Sequence, residues 1–173
     1  TLRTNIQFLM NNNAATVISF TSPLPRDGKS TLVANLGVAF AQTSTKVVII
    51  DCDMRNPRLN KFFNANPTPG LSNYLVNLVD LEEVLQPTGY DNLQIISAGR
   101  IPPNPTELLS SKKMENLIEI LRAQFDLILI DTPPVGIVSD ACVTSKYSDG
   151  IILVIKHYSS TYTMVEKCLG SLK

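Results

Sequence analysis

Apolar residues run unbroken in several strand-length stretches of the chain, and between those stretches they recur at helical spacing. Val17-Ile18-Ser19-Phe20, Leu93-Gln94-Ile95-Ile96-Ser97 and Gly150-Ile151-Ile152-Leu153-Val154-Ile155 predict strands. Lys46-Val47-Val48-Ile49-Ile50-Asp51 has the look of a parallel strand covered on both faces, because such a strand needs no polar alternation. Phe125-Asp126-Leu127-Ile128-Leu129-Ile130-Asp131 repeats that pattern, again ending in an acid. The spacing of Leu2, Ile6, Leu9 and Met10 predicts a first helix over residues 2–12, stopped by its Asn-rich end. Leu32 to Phe40 predicts a helix directly behind the first strand. Past Pro67, Pro69 and Gly70, Leu71 to Val79 and Leu81 to Leu85 read as short helices. Gly99 to Pro105 is a proline-rich loop in which Asn104 caps a helix opened by Pro105; that helix runs to about Ala123 with a break near Ser110-Ser111. Helices around Ser139 to Lys146 and over 161–173 complete the series. Strands alternating with helices specify an α/β fold, a mostly parallel sheet with helices on both faces.

Length and composition narrow this further. A chain of 173 residues is about one domain, long enough to bury its own core. Its 44% apolar and 17% charged residues are those of a globular protein, and no apolar run reaches the ~18 residues of a membrane span. The beginning does not read as a signal peptide. Fifteen basic residues balance fifteen acidic ones, so no global field draws the chain to nucleic acid or an anionic bilayer. Cys52, Cys142 and Cys168 are odd in number, widely spaced and set among apolar residues, which fits reduced core thiols of a cytosolic protein rather than metal ligands.

The stretch that carries chemistry is Ser22-Pro23-Leu24-Pro25-Arg26-Asp27-Gly28-Lys29-Ser30-Thr31, between the first strand and the helix behind it. A tight loop closing on a helix N-terminus converges backbone N–H groups on an anion, and the predicted phosphate contacts are Arg26, Asp27, Gly28, Lys29, Ser30 and Thr31. Lys29, expected at an exposed loop–helix junction, reaches the β- and γ-phosphates, and the Ser30 hydroxyl ligands magnesium. The full phosphate-loop pattern asks for glycine five residues before Gly28, where this chain has Pro23. Asp51, Asp53 and Asp131 stand at or just past carboxyl ends of strands, the edge where open α/β sheets bind ligands. There they converge on one metal and its waters, or else cap the next turn. Arg55 and Arg58 pair with surface acids or, for Arg55, face phosphate. His157, the one histidine, is a strand-end surface residue without a nucleophile or metal partner nearby.

These motifs resemble those of the bacterial tyrosine kinases (BY-kinases) of capsule and exopolysaccharide synthesis, across nearly the whole chain. Thr21 to Thr31 looks like their Walker A, Val48 to Pro57 their Walker A′, and Phe125 to Asp131 their Walker B. Gly99 through Leu109 resembles a further stretch typical of them, and Leu2-Arg3-Thr4-Asn5 the end of their first-helix motif. The resemblance implies a P-loop NTPase-type fold and transfer of the γ-phosphoryl group of ATP, with Mg2+, to a tyrosine hydroxyl. It makes Lys29, Asp51 and Asp53 catalytic, with Asp51 orienting the phenol and taking its proton late, and it gives the metal to Ser30, Asp53 and Asp131. Thr31 helps hold the α-phosphate. The partners implied are a transmembrane activator of polysaccharide export, fused or separate, and neighbouring copies of the chain; nucleic acid is not among them. The location implied is cytoplasmic, at the inner face of the membrane.

Departures from the family pattern mark the expectations to test. Arg26-Asp27 stands where Gly-Glu is usual, and only Arg3 remains of the ring-assembly motif. The tyrosine-rich tail is missing: Tyr158 and Tyr162 form no cluster and read as structural tyrosines, so the chain alone is expected to phosphorylate itself poorly. A MinD/ParA-like ATPase switch shares the fold and the Walker A′, but its signature lysine is replaced by Leu24. A nucleotide-holding scaffold for a membrane polysaccharide co-polymerase is a third reading. Lys156 and His157 are the adenine candidates by fold analogy.

Overall fold

The computed structural model describes residues 1–10, 14–136 and 140–172. Six strands form one sheet: β1 (Thr16–Thr21), β2 (Val47–Asp51), β3 (Leu85–Pro87), β4 (Leu93–Ile96), β5 (Leu127–Asp131) and β6 (Gly150–Leu153). They lie in the order β3-β4-β2-β5-β1-β6, all neighbours parallel except the antiparallel β3–β4 pair at one edge. Pro87 is tolerated there because an edge strand can spare an N–H. The expected mostly parallel α/β sheet is therefore present, with β2 and β5 at its centre.

Alternation along the strands sends side chains to two separate cores. Ile18, Phe20, Val47, Ile49, Ile95, Leu127 and Leu129 pack under α1 (Leu2–Leu9), α2 (Lys29–Ala41) and α3 (Leu59–Phe62). Val17, Val48, Ile50, Ile96, Ile128 and Ile130 pack under α4 (Leu71–Leu75), α6 (Pro105–Leu109) and α7 (Lys112–Arg122). Both layers are built from buried apolar side chains, which is why β2 and β5 show no polar alternation in sequence. Helix α2 lies close to the sheet because Gly37 leaves room: a Cβ there would meet Ile49 Cδ1 at 2.6 Å. The short α5 (Leu81–Val84) leads into β3, while α8 (Asp140–Ser145) and α9 (Tyr162–Ser171) make a small third cluster around Val135 and Cys168.

Several elements differ from the sequence reading. The apolar stretch Leu71 to Val79 forms only five residues of helix, ending at Leu75. Leu85 opens β3 rather than ending a helix, and α3 was not anticipated, its four residues being too few to show a period. The break at Ser110-Ser111 is real, with Ser111 capping α7 through the Met114 N–H. Asn104 stands at the N-cap of α6 with Pro105 behind it, but its amide donates to Glu107 Oε2 at 2.6 Å and caps no backbone group. The Asn-rich stop after α1, the expected helix start at Ser139 and the expected helix end at Lys173 lie outside the described residues. Cys52 and Cys168 are buried and Cys142 is half-buried, all as free thiols.

The lower ends of β1 and β6 are tied by one arginine. Arg122, at the end of α7, donates from Nη1 to Ala15 O at 2.7 Å and from Nη2 to Tyr147 O at 3.2 Å. Each nitrogen also donates to one oxygen of Asp149 at 3.1 Å, and Asp149 accepts the Val17 N–H at 2.7 Å. Burial pushes the Asp149 carboxyl up, but Arg122 and the Val17 N–H outweigh it and leave it below the usual range. Arg122→Ala is expected to cost about 1–2 kcal/mol, discounted for the exposure of Asp149. Since the folded-state pKa is depressed, that difference is complete above about pH 4, the unfolded value, and disappears as pH falls through the lower folded one. Denaturant melts of both proteins between pH 7 and pH 3 measure it.

Candidate active site

The loop between β1 and α2 turns on Gly28, whose φ of 91° is left-handed and strained for any residue with a Cβ. Its neighbour Arg26 also has a positive φ, of 67°. The loop is braced from inside: Ser22 Oγ donates to Leu24 O at 2.8 Å, and Asp27 Oδ2 accepts the Leu24 N–H at 3.1 Å. It is also braced from the neighbouring edge strand, where Ser159, in the turn after β6, donates to Asp27 Oδ1 at 2.8 Å. Asp27 therefore acts as a strut and Arg26 is an exposed side chain at the mouth.

In front of this loop opens a cavity of about 790 Å³. Gly28 to Thr31 form one wall and Asp53, Arg55, Asn56 and Arg58, from the turn after β2, line it as well. Lys29 departs from expectation: it is 6% exposed, not at an open junction, and its ammonium pairs with Asp131. Ser30 Oγ donates to the other Asp131 oxygen at 2.6 Å. Burial drives the Asp131 carboxyl above its ordinary value, while Lys29 and Ser30 pull it down without cancelling the rise. Thus the strand-end acid of β5 and the phosphate-loop residues meet in one hydrogen-bonded unit.

The two acids of β2 diverge. Asp51 is fully buried and does not line the cavity; its carboxylate accepts the N–H groups of Asp53 at 3.1 Å, Arg58 at 3.2 Å and Leu59 at 3.1 Å. It thereby holds the 51–58 turn and the start of α3. Burial and the neighbouring Asp131 push its carboxyl up to about 8, against the pull of the Leu59 amide. Asp53 borders the cavity and closes a turn by accepting the Asn56 N–H at 3.0 Å. Arg55 pairs with Asp140, a buried acid rather than a surface one, and Arg58 is exposed. Lys156 and His157 are exposed on the turn that Ser159 ties to the loop, with the His157 ring 3.9 Å from that of Tyr158.

Asp140, Thr106, Ser159 and Phe62 belong to the site or its supports and were not singled out from the sequence. Asp140 and Ser159 follow no strand-end pattern, and Phe62 reaches the cavity only because Asp51 seeds α3. Among the described residues no group of three or more His, Cys, Asp or Glu side chains could hold a metal alone. A hydroxyl and carboxylates are nevertheless the hard oxygen donors that magnesium takes when phosphate oxygens and waters complete its shell, so Ser30, Asp53 and Asp131 fit that ion. Among the described residues no helix is long and apolar enough to cross a membrane.

The family of AAA domains matches residues 15–168. Tyrosine-protein kinase YwqD of Bacillus subtilis is 41% identical over 90% of this chain and 65% of its own length. Tyrosine-protein kinase ptk of Acinetobacter johnsonii is also 41% identical, over 92% of this chain, which spans only 22% of that protein. Tyrosine-protein kinase CpsD of Streptococcus agalactiae is 38% identical, covering 96% of this chain and 71% of the relative. Among solved structures, the kinase domain of the Escherichia coli tyrosine kinase ETK superposes with a TM-score of 0.94 at 33% identity, over 99% of this chain and 67% of that one. The septum site-determining protein MinD of Pyrococcus horikoshii, complexed with Mg-ADP, gives 0.68 at 26% identity, over 81% and 57%.

The Lys29–Asp131 contact makes a specific energetic demand. Lys29→Met is expected both to abolish nucleotide binding and to lower stability by about 3–5 kcal/mol, because it leaves Asp131 buried without its cation. Adding Asp131→Asn to Lys29→Met restores most of the stability and none of the binding. Denaturant melts and nucleotide titration of the single and double variants check this.

Proposed function

Because the chain belongs to the bacterial tyrosine kinases, within the AAA-domain family of P-loop proteins, we propose that it transfers the γ-phosphoryl group of ATP to tyrosine hydroxyls and so regulates capsule or exopolysaccharide synthesis. The observation that carries this reading is the hydrogen-bonded Lys29–Ser30–Asp131 unit beside the left-handed Gly28, with Lys29, Ser30 and Asp53 all lining one cavity. Phosphoryl transfer has a loose, highly charged transition state, so the protein's task is positioning and charge stabilisation. Lys29 is held ready at the loop, and turning its ammonium from Asp131 to the phosphates exchanges one anion for another. The amides of Gly28 to Thr31 receive the phosphate chain at the head of α2, with Thr31 toward the α-phosphate.

Magnesium, when bound by Ser30 and through Asp53 and Asp131, supplies positive charge between the phosphate oxygens and these carboxylates. Asp53 stands where an incoming phenol can reach it. Asp51 lies behind it, and its role as the late proton acceptor requires the 51–58 turn to give up an amide contact. Burial and Asp131 raise the Asp51 carboxyl to about 8, still below the phenol's ~10, so the phenol's proton passes to it only late. We further propose that the partners are a transmembrane activator of polysaccharide export, fused or separate, and other copies of the chain, which places the domain at the inner face of the membrane.

Incubation with labelled ATP, a peptide of clustered tyrosines and a cytoplasmic activator segment tests the reading. Label in tyrosine is the expected result; release as free phosphate identifies a MinD-like switch, and retention in ATP a scaffold. Chelating magnesium is expected to weaken ATP binding at least about tenfold, and Asp131→Asn to raise the magnesium requirement more than the ATP requirement. Equal ATP affinity with and without magnesium contradicts the metal assignment.

A further inference from the structure

Besides Lys29, one cation of the cavity wall has its orientation fixed by a buried acid. Arg55 Nε donates to Asp140 Oδ2 at 2.9 Å and Nη2 to Oδ1 at 3.4 Å, while Thr106 Oγ1 donates to the same Oδ1 at 2.5 Å. Asp140 is completely buried, yet the Arg55 side chain is 45% exposed and lines the cavity. The remaining nitrogen, Nη1, has no acceptor among the described residues. Three separate parts of the chain converge here: the turn after β2, the first turn of α6 behind the proline-rich loop, and the start of α8. Stability alone is a weak reason for this arrangement, since replacing a buried ion pair as a whole by apolar side chains of similar volume costs a fold little. What the arrangement does achieve is a guanidinium locked on one edge and open on the other, a geometry suited to phosphate oxygens.

Its place in the cavity says which phosphate. The loop Gly28 to Thr31 holds the nucleotide end, and in-line transfer brings the acceptor from the side opposite the leaving ADP. On the turn after β2 the acid Asp53 repels a phosphate dianion arriving there; Arg55 and the exposed Arg58 carry the opposing charge, and of these two Arg55 is the one held in place by a buried acid, Asp140. We propose, resting on the kinase reading above, that Arg55 is a second anion site, receiving the phosphoryl group as it reaches the phenol and holding the aryl phosphate monoester formed. Asp140 and Thr106 are its positioning residues. In the step itself the bond from the γ-phosphorus to the β,γ-bridging oxygen breaks, its electron pair leaves with ADP, and the phenol oxygen forms the new bond. The phenol proton passes to a carboxylate of the site, and Arg55 donates hydrogen bonds without exchanging a proton.

Phenyl phosphate serves as the probe, with calorimetry on the ADP- and magnesium-loaded protein as a readout independent of turnover. Wild-type protein is expected to bind phenyl phosphate, which inhibits transfer competitively against acceptor peptide and not against ATP. Arg55→Lys is expected to lose that binding and to lower the transfer rate at saturating ATP about a hundredfold, with ATP affinity changed less than about threefold. Thr106→Val lowers transfer about tenfold at unchanged ATP affinity, and Thr106→Ser restores it, which separates orientation of Arg55 from mere stability. Unaltered transfer and phenyl phosphate binding in a folded Arg55→Lys protein overturn the proposal while leaving the kinase reading intact, and so does a loss of ATP affinity equal to the loss of transfer. Phenyl phosphate bound by wild type and not by Arg55→Lys, in a protein that transfers nothing to peptide, sustains the anion site and overturns the kinase reading. Wild-type protein that neither transfers nor binds phenyl phosphate overturns both.

Discussion

The neutralisation of one buried carboxylate governs the ligand-binding end of this sheet. Asp131 ends the central strand β5 at 1% exposure, and an isolated carboxylate there would be untenable. Lys29 and Ser30 satisfy it, and by doing so they draw the first turn of α2 down onto the sheet edge. The phosphate loop is then stretched between that anchor and β1, with Gly28 absorbing the backbone reversal. Asp51, one strand over, solves the same difficulty with backbone amides and so builds the turn that carries Asp53 and Arg55. Both walls of the cavity thus originate in the need to accommodate two strand-end acids in a dry place.

This explains which parts of the site were legible in the sequence. Lys29, Ser30 and Asp131 could be grouped because each stands at a fixed offset from an apolar strand, and strand ends of a parallel sheet share an edge. The division of labour between Asp51 and Asp53 could not be read. Two acids separated by one residue look equivalent in a string, and what separates them is that one side chain meets the amides of Arg58 and Leu59 while the other accepts the Asn56 N–H at the border of the cavity. The burial of Lys29 was hidden for a similar reason, since a lysine beside a glycine in a polar loop gives no sign of the acid it will meet 102 residues later.

The fold itself was more transparent in its centre than at its margin. β2 and β5 are apolar on both faces up to their terminal acids and β1 is buried throughout, so a single run of residues identifies each. β3 has three half-exposed or exposed residues and α3 has four in all, too short for a period to be counted, and their existence follows from tertiary partners. Asp140 and Ser159 show the same limit for the site: each acts through a side chain reaching an element distant in sequence, Arg55 in one case and Asp27 in the other.

The register of the central strands has a consequence for how such a domain can vary. Asp131 lies directly across from Phe20 on one side and from Asp51 on the other, so β5 is clamped in phase with both neighbours. Because successive side chains point to opposite faces, losing or gaining one residue within β5 would turn Asp131 away from Lys29 and put its neighbour there instead. Length can change freely only where no strand end has to be reached, as in the stretch between α3 and β4, whose edge strand meets a single partner. Lineages that diversify this domain should therefore accumulate insertions along the β3 margin and keep the residue count of β5 constant.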